Sequence, residues 1–424
     1  MIKLYHSRRN TLFEGSSGHT KMKYVIFLGD GMADDKQEEL GGKTIIEAAD
    51  KPCMDRIAKE GVCGLLDTVP EGMKPDSTVA NLSVLGYDPR SSLEGRGVLE
   101  AAAIGVELAP TDLAARMNTI HIADGKIITH SAGNISTEES RQLVLALKEE
   151  LEPKFPGIIF HSGVSYRHVL QITRPASKCV ELTPPHDNPD KPLEPLMPRA
   201  TAPEGEETAT LLRDLIRASW PVLEKHPVNI ARAKRGEQTA NSIWPWSIGK
   251  RPSMKTFEEL YGVKGAVVCA VDLIRGIGKI AGMQTPRVEG VTGLWNTNFE
   301  GKADAVIEAL KTNDLVYVHV EAPDEAGHDG DMQLKIRTIT DLDHRLLKRV
   351  MDNAPEQTRF AVLCDHPTPV KLRTHVHRPV PFAIMGPGIV PDFVLDYGEA
   401  SCAKGRWPNL QGADFIRLLL GIEQ

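Results

Sequence analysis

Short, mostly apolar segments recur along the chain, and each of them runs into a glycine-rich or polar stretch. They cover residues 25–28, 62–68, 265–271, 315–320 and 360–364. A run without polar alternation is typical of a strand buried on both faces of a parallel sheet. Helical patterns lie between these runs, most clearly at 332–351, where apolar side chains recur every three or four positions. The alternation predicts an α/β fold with a mostly parallel sheet sandwiched by helices.

Capping patterns indicate where other helices begin. Thr44 and Glu47 have the spacing of a capping box, which predicts a helix from about Thr44 that stops at Gly61. Ser136 and Glu139 repeat that spacing before a helix predicted to end near residue 151. A further helix is expected at about 206–225.

The pattern changes in the middle of the chain, which predicts a second domain. Residues 152–205 are rich in proline and turn residues and indicate a long ordered connection without regular elements. The chain has 424 residues, more than one hydrophobic core usually contains. We therefore predict a core domain from 22–109 and 251–424, with 110–250 as an inserted α/β domain. Residues 1–21 are polar and basic and lack the apolar segment of a signal peptide, so we expect a disordered or non-native extension.

Composition narrows the classes of function. The content of 41% hydrophobic and 25% charged residues is that of an ordinary soluble globular protein. A net charge of −7 argues against nucleic-acid binding through a global field. No stretch approaches the roughly 20 apolar residues of a membrane span. The six cysteines are scattered without a CxxC pair, which indicates reduced thiols and a cytoplasmic protein.

The apolar segments lead directly to carboxylates and imidazoles. Parallel strands bring their carboxyl ends to one edge of a sheet, so these groups are expected to meet there. The set comprises three aspartates and three histidines, namely Asp30, Asp324, Asp365, His328, His366 and His375. That number of oxygen and nitrogen ligands suits two divalent metal ions, a common arrangement for phosphoryl transfer.

Ser77 is the candidate nucleophile. It lies near the start of a predicted helix, where free N–H groups and the helix dipole favour an anion. A nearby metal ion would lower the pKa of its hydroxyl group. Taken alone, Ser77 is more simply explained as the N-cap of that helix.

Several segments carry a family resemblance. They are 27–34, 76–89, 163–168, 184–187 and 379–382, of which Gly86-Tyr87-Asp88-Pro89 is the most specific. From Lys23 onward the chain resembles the archaeal-type cofactor-independent (2,3-bisphosphoglycerate-independent) phosphoglycerate mutases of the alkaline phosphatase superfamily. The resemblance implies an alkaline-phosphatase-like core and interconversion of 3-phosphoglycerate and 2-phosphoglycerate in glycolysis and gluconeogenesis. It also implies a phosphoserine intermediate on Ser77 and no need for 2,3-bisphosphoglycerate.

The same resemblance divides the ligands into two metal sites. One ion would be held by Asp30, Ser77, Asp365 and His366, and the other by Asp324, His328 and His375. Manganese, cobalt and zinc tolerate mixed carboxylate and imidazole ligands, whereas magnesium is less suited to three imidazoles.

A mutase must retain the glycerate during the reaction, and the insertion is expected to supply that binding surface and exclude water. Arginine suits bidentate binding of a carboxylate or phosphate. We predict catalytic roles for Arg167 and Asp187 and substrate binding by His130, Arg232, Arg235 and Arg275. The run 232–235 is equally consistent with a solvated helix face.

The sequence leaves three alternative functions open. A metal-dependent phosphatase, phosphodiesterase or phosphopentomutase of the same superfamily would share the metal residues. Residues 276–281 fit the G-x-G-x-x-A pattern of a dinucleotide fold, although a helix is the simpler interpretation. The third is a non-catalytic metal-binding module. The sequence fixes neither the physiological metal nor the oligomeric state.

Overall fold

The computed structural model describes residues 21–422. The extension predicted for 1–21 therefore lies, apart from Lys21, outside the described residues. The strands are β1 (Lys23–Gly29), β2 (Val62–Asp67), β3 (Leu113–Ala123), β4 (Lys126–Thr129), β5 (Ile158–His161), β6 (Arg167–Ile172), β7 (Val180–Glu181), β8 (Arg199–Ala200), β9 (Ser242–Lys250), β10 (Gly265–Val268), β11 (Leu315–Val320), β12 (Thr358–Leu363), β13 (Val380–Met385) and β14 (Trp407–Gln411).

The helices are α1 (Ile45–Ala48), α2 (Pro52–Lys59), α3 (Ser77–Val84), α4 (Pro89–Ser92), α5 (Arg96–Ala103), α6 (Thr137–Leu151), α7 (Glu206–Glu224), α8 (Pro227–Lys234), α9 (Phe257–Tyr261), α10 (Asp272–Ile280), α11 (Phe299–Ala309), α12 (Ala322–Asp329), α13 (Met332–Asp341), α14 (Lys348–Asn353), α15 (Glu399–Cys402) and α16 (Asp414–Leu420). None of the described helices is long and apolar enough to span a bilayer.

A seven-stranded, mostly parallel sheet forms the centre of the larger domain. Its strand order is β10-β11-β1-β12-β13-β2-β14, and β13 runs antiparallel to both of its neighbours. β1 pairs in parallel with β11 on one side and β12 on the other. All six residues of β11 are buried, as its unbroken apolar pattern predicts. The predicted α/β fold with a mostly parallel sheet is confirmed, and the carboxyl ends of β11, β1 and β12 lie side by side.

The second sheet is antiparallel, and β3 lies at its centre. β3 pairs with β4, β6 and β9, while β5 pairs with β6. The prediction of a connection without regular elements at 152–205 is wrong, because β5 to β8 lie within it. The prolines of this segment fall outside β5 and β6 and occupy the flanking turns, so a proline-rich composition did not exclude strands.

Each sheet has its own hydrophobic core. The larger core draws on residues from 25 to 99 and from 257 to 420, and the second on residues from 113 to 246. Helix α5 packs against both α10 and β3, so it lies where the two cores meet. The domain boundaries predicted between residues 109 and 110 and between residues 250 and 251 stay a prediction.

Several helix predictions can be compared with the structure. The capping box of Thr44 and Glu47 is present, but α1 ends at Ala48 and α2 starts separately, with Pro52 at its first position. The first position of a helix tolerates proline because a backbone N–H there would have no hydrogen-bond partner within the helix. Residues 332–351 are helical throughout, with a π-helical segment at Leu342–Leu347 between α13 and α14.

The glycine pattern at 276–281 lies inside a helix. A Cβ on Gly276 would overlap the carbonyl oxygen of Leu99, so this glycine allows α10 to approach α5 closely. A dinucleotide fold needs the first glycine in the turn between strand and helix. The dinucleotide alternative is therefore wrong for this segment.

Candidate active site

Strand ends bring the predicted metal ligands together at one edge of the large sheet. Asp30 follows β1 directly, α12 carries Asp324 and His328 just beyond β11, and Asp365 and His366 follow β12. Gly31 has a φ of +61°, and a side chain there would overlap the Asp324 carboxylate. Glycine is therefore required where the β1 and β11 connections meet.

One group of ligands surrounds Ser77. The Ser77 Oγ lies 3.1 Å from His366 Nε2. That nitrogen is 3.6 Å from Asp30 Oδ1 and 3.5 Å from Asp365 Oδ2. These four side chains are the set predicted for the first metal ion.

The second group adjoins the first. His328 Nε2 lies 3.2 Å from Asp324 Oδ2, and His375 Nε2 lies 3.5 Å from Asp324 Oδ1. The two imidazole nitrogens are 3.0 Å apart. The His366 and His375 rings stack with centroids 3.8 Å apart, so the groups share a boundary.

The donor atoms fit divalent cations. Both oxygens of Asp30 are buried and, among residues 21–422, accept no hydrogen bond. A buried carboxylate without a partner is costly, and a cation supplies the missing partner. Burial, together with the negative charges of Asp365, Glu321 and Asp324, raises the pKa of Asp30 well above its usual range. Bound cations would relieve this repulsion.

Contacts within the second group shift the pKa values of its aspartate and histidine. Burial alone would raise the pKa of Asp324, but hydrogen bonds with His328 and His375 lower it. The bond to Asp324 raises the pKa of His328 to about 9 despite partial burial. In the absence of metal, the aspartate and histidine hold each other in their charged forms.

Asn81 links Ser77 to Asp365, a connection that no sequence pattern revealed. Its Nδ2 donates to Asp365 Oδ2 at 3.1 Å and to the Ser77 carbonyl oxygen at 2.8 Å. Asp365 Oδ1 accepts from the backbone N–H groups of Gly31 and His366. These bonds fix the orientation of the Asp365 carboxylate.

A cavity of about 420 Å³ connects the two domains at this point. Ser77, Asp324, His328 and His375 line one wall, and Arg116, Gly163 and Arg167 of the second domain line the opposite wall. Arg96 also lines the cavity. Arg167 was predicted from the sequence, whereas Arg96 and Arg116 were not, because an isolated arginine in a helix or strand has no characteristic spacing to its neighbours.

His130 and Asp187 lie in an aromatic cluster next to this wall. The His130 ring packs against Tyr166 and His186, with centroids 5.4 and 6.0 Å apart. His186 packs on Trp246, and the Arg116 guanidinium lies 4.6 Å from the centre of a Trp246 ring. Asp187 is exposed on a short 3-10 turn beside His186, 3.5 Å from its Nε2. The structure thus brings His130, Asp187 and Arg167 to one region.

Comparison with known proteins identifies the family. A family model described as 2,3-bisphosphoglycerate-independent phosphoglycerate mutase matches residues 58–229. A protein of that description from Methanosarcina acetivorans is 46% identical over 405 residues, covering 95% of this chain and 100% of the relative. A probable member from Geobacter sulfurreducens is 45% identical over 369 residues, or 86% of this chain and 90% of its own. The chain belongs to the 2,3-bisphosphoglycerate-independent phosphoglycerate mutase family.

Solved structures agree with this placement. A Pyrococcus horikoshii protein superposes with a TM-score of 0.81 at 30% identity, covering 95% of this chain and 98% of its own. A cofactor-independent phosphoglycerate mutase from Thermoplasma acidophilum gives a TM-score of 0.68 at 26% identity, with 95% and 99% coverage. The resemblance stated from the sequence is confirmed for the family.

Three arginines predicted as substrate ligands do not line the cavity. Arg232 is buried and donates to Glu139 Oε2 at 2.6 Å and to the Ala132 carbonyl oxygen at 2.9 Å. Arg235 is paired with Glu139 and Glu237. The sequence could not show these carboxylate partners, because Glu139 lies on another helix. For this mutase-family chain, substrate binding by Arg232 and Arg235 stays a prediction.

Arg275 is buried on α10. Its Nη2 donates to the Cys269 carbonyl oxygen at 3.0 Å, and its Nε lies 3.7 Å from Asp272, which does line the cavity. Its role toward substrate likewise stays a prediction.

His319 was missed altogether. It is the fifth residue of β11 and fully buried, and its Nε2 lies 3.0 Å from Asp30 Oδ2. Burial lowers its pKa to about 4, so the ring is neutral at pH 7. It was overlooked because the other residues of this strand are apolar or aromatic. A polar residue within such a strand is the signal that could have drawn attention to it.

Proposed function

We propose that this chain interconverts 3-phosphoglycerate and 2-phosphoglycerate through a phosphoserine intermediate on Ser77. The observation that carries the proposal is the shared cavity, which is lined by Ser77, by the candidate metal ligands Asp324, His328 and His375, and by Arg96, Arg116 and Arg167. The activity would belong to glycolysis and gluconeogenesis, and we place it in the cytoplasm. All six cysteines are free in the described chain, in keeping with that compartment.

Two divalent cations would complete the site. Asp30, Ser77, Asp365 and His366 would hold one, and Asp324, His328 and His375 the other. This mixed oxygen and nitrogen set suits manganese, cobalt or zinc better than magnesium. When bound, such ions polarise phosphoryl oxygens and lower the pKa of a bound hydroxyl group.

The reaction conserves the phosphoryl group. The P–O bond to the glycerate 3-hydroxyl breaks as a bond from phosphorus to Ser77 Oγ forms, and the 3-oxygen gains a proton. In the second half the Ser77 Oγ bond breaks, a bond to the glycerate 2-oxygen forms, and that hydroxyl loses its proton. The phosphoryl group on Ser77 comes from the substrate and returns to the same glycerate, so no 2,3-bisphosphoglycerate is needed as a phosphoryl donor.

The second domain would distinguish the mutase from a phosphatase. Arg167 has the charge to bind the glycerate carboxylate while it reorients. Arg116 lines the same cavity, where it is paired with Glu100 at 3.2 Å. His130 and Asp187 are the groups that we expect to transfer protons to and from its hydroxyls. Exclusion of water from this cavity during the reaction would protect the phosphoserine from hydrolysis.

The test is conversion of 3-phosphoglycerate to 2-phosphoglycerate without added bisphosphoglycerate. The assay uses metal-stripped protein to which manganese, cobalt, zinc and magnesium are returned one at a time. We expect activity to return with manganese, cobalt or zinc, and hydrolysis of simple phosphate esters to be slow. Rapid hydrolysis without conversion would favour the phosphatase alternative.

Ser77→Ala tests the intermediate. Without the nucleophile, activity should fall at least about 10³-fold, and acid-quenched protein should lose the mass of one phosphoryl group seen on the wild type. Ser83→Ala is the matched control on the same helix, because the Ser83 hydroxyl is buried and has no partner in the described chain. Full activity of Ser77→Ala would exclude the phosphoserine mechanism.

A further inference from the structure

His319 has unused hydrogen-bonding capacity in the interior of the protein. Its side chain is fully buried, and neither ring nitrogen has a hydrogen-bond partner within residues 21–422. Buried polar groups are almost always paired with protein or water. An imidazole with both nitrogens unpaired therefore calls for a specific explanation.

Its contact with Asp30 has the distance of a hydrogen bond but not the geometry. His319 Nε2 lies 3.0 Å from Asp30 Oδ2, yet neither atom is hydrogen-bonded. The oxygen therefore lies away from the direction in which an N–H or lone pair on Nε2 would point. Two atoms that bind one metal ion at about 2.1 Å each and subtend a right angle lie about 3 Å apart. In that arrangement each atom points at the metal and away from the other atom.

Asp365 brings a third candidate ligand atom close to those of Asp30 and His319. The candidate ligand atoms of Asp30, His319 and Asp365 all lie within 4.8 Å of one another, and all three side chains are buried. His366 approaches the other oxygen of Asp30, Oδ1, at 3.6 Å. The two imidazoles therefore face different oxygens of one carboxylate.

A carboxylate lies behind the second ring nitrogen of His319, and a lysine contacts its backbone. Glu321 Oε2, a buried oxygen that also lacks a hydrogen bond in the described chain, lies 3.8 Å from His319 Nδ1. Lys302 Nζ donates to the His319 carbonyl oxygen at 2.9 Å and secures the end of β11. A carboxylate behind the second nitrogen is the usual support of a metal-binding histidine.

We propose that His319 Nε2 is an additional ligand of the divalent transition-metal ion held by Asp30 and Asp365, with Glu321 as the acceptor for its Nδ1–H. The inference rests on the proposed two-metal site and adds a ligand from the buried side of the sheet. An added imidazole increases the preference of this position for manganese, cobalt or zinc over magnesium.

The direct test is a crystal structure of the manganese-loaded wild-type protein, with the metal located by anomalous scattering. A His319 Nε2 about 2.0–2.3 Å from the ion would support the proposal. Two bound ions with this nitrogen more than about 3 Å from both would overturn it and leave the proposed function intact. If the wild type binds no metal at all, the two-metal site itself fails.

A second test measures binding in solution. Cobalt is titrated into metal-free wild type, His319→Gln and His377→Gln, and the visible absorption spectrum is recorded with the affinities. His377 is a half-exposed imidazole near the same edge, 3.2 Å from Asp67, and serves as the control. We expect His319→Gln to weaken one of the two cobalt sites about 10- to 100-fold and to change its spectrum, with His377→Gln matching wild type. An unchanged affinity and spectrum for His319→Gln would overturn the proposal, and the crystal structure decides the matter if that variant does not fold.

Discussion

Ser77 can serve as a nucleophile because another residue caps its helix. Asp76 is the N-cap of α3 and accepts from the backbone N–H of Thr78 at 2.8 Å. Asp76 is itself paired with Arg96. The Ser77 hydroxyl is therefore not needed for capping and faces His366. The alternative that Ser77 is the N-cap is wrong, and the residue that replaces it in that role lies next to it in the sequence.

At the same scale, His168 shows how burial determines a protonation state. The backbone N–H of Gly163 donates to His168 Nδ1, and Nε2 pairs with Ser140 Oγ at 2.7 Å. Complete burial lowers the pKa of His168 to about 3, from an ordinary value of 6.5. Between those two pH values the unfolded chain binds a proton here that the folded chain excludes.

Stability should therefore fall as the pH decreases from about 6.5 toward 3, because the unfolded state binds more protons. We expect His168→Gln to be less stable than wild type at pH 7. The difference in free energy of unfolding should then shrink by up to about 1.4 kcal/mol per pH unit below 6.5. Urea titrations of both proteins at several pH values measure it. A difference that stays constant with pH would contradict this assignment.

At the scale of elements, a buried ion pair joins the segments that carry the ligands. Lys335 on α13 donates to Asp34 Oδ2 and to the Thr368 carbonyl oxygen, both at 2.8 Å. Asp34 Oδ2 also accepts from the backbone N–H of Val370. Both charged side chains are completely buried. The pair connects the loop after β1 to the loop after β12, and so fixes the spacing of Asp30 and Asp365.

Lys335→Met should lower the free energy of unfolding by about 3–5 kcal/mol, because it leaves Asp34 buried without its cation. The double variant Lys335→Met with Asp34→Asn should recover part of that loss, since the uncompensated charge is gone. Lys348→Met, at the exposed pair with Asp352, is the control and should leave the denaturation midpoint unchanged. Equal midpoints for Lys335→Met and wild type would show that the buried pair contributes nothing.

At the scale of the whole molecule, the candidate site exists only where the two cores meet. The first domain supplies Ser77, the proposed nucleophile, and the candidate metal ligands, and the second supplies Arg116 and Arg167. Arg167 is exposed and forms no ion pair within the described chain, so its guanidinium is available to an anion. Phosphoryl transfer alone needs the first wall, whereas retention of glycerate needs both.

Arg167→Met should lower kcat/KM for 3-phosphoglycerate about 10- to 100-fold, the factor for losing one charge-assisted hydrogen-bonding group. The thermal midpoint should not change, because the side chain is exposed. Arg174→Met, beyond the other end of β6 and paired with Glu207, is the matched control. If both variants keep wild-type kcat/KM, the second wall does not bind substrate.

Local patterns in the sequence were enough to place the large sheet. Apolar runs too short for helices located β1, β2, β10, β11 and β12, and capping residues located the starts of α1 and α6. The rule that parallel strands end together then located Asp30, Asp324 and Asp365 at one edge. The strands of the second sheet were harder to recognise, because β5 and β6 are short and lie among prolines.

The sequence by itself determined the family, the α/β class and the residues able to hold metal, because each of these depends on local patterns or on motifs. Only the tertiary structure decided which arginines face the cavity and that His319 lies against Asp30. Those facts depend on contacts between residues far apart in the chain. Arg235 is engaged by Glu139, 96 positions away, and His319 meets Asp30 across the β1–β11 pair. Pairings of this kind are set by packing, which no local pattern encodes.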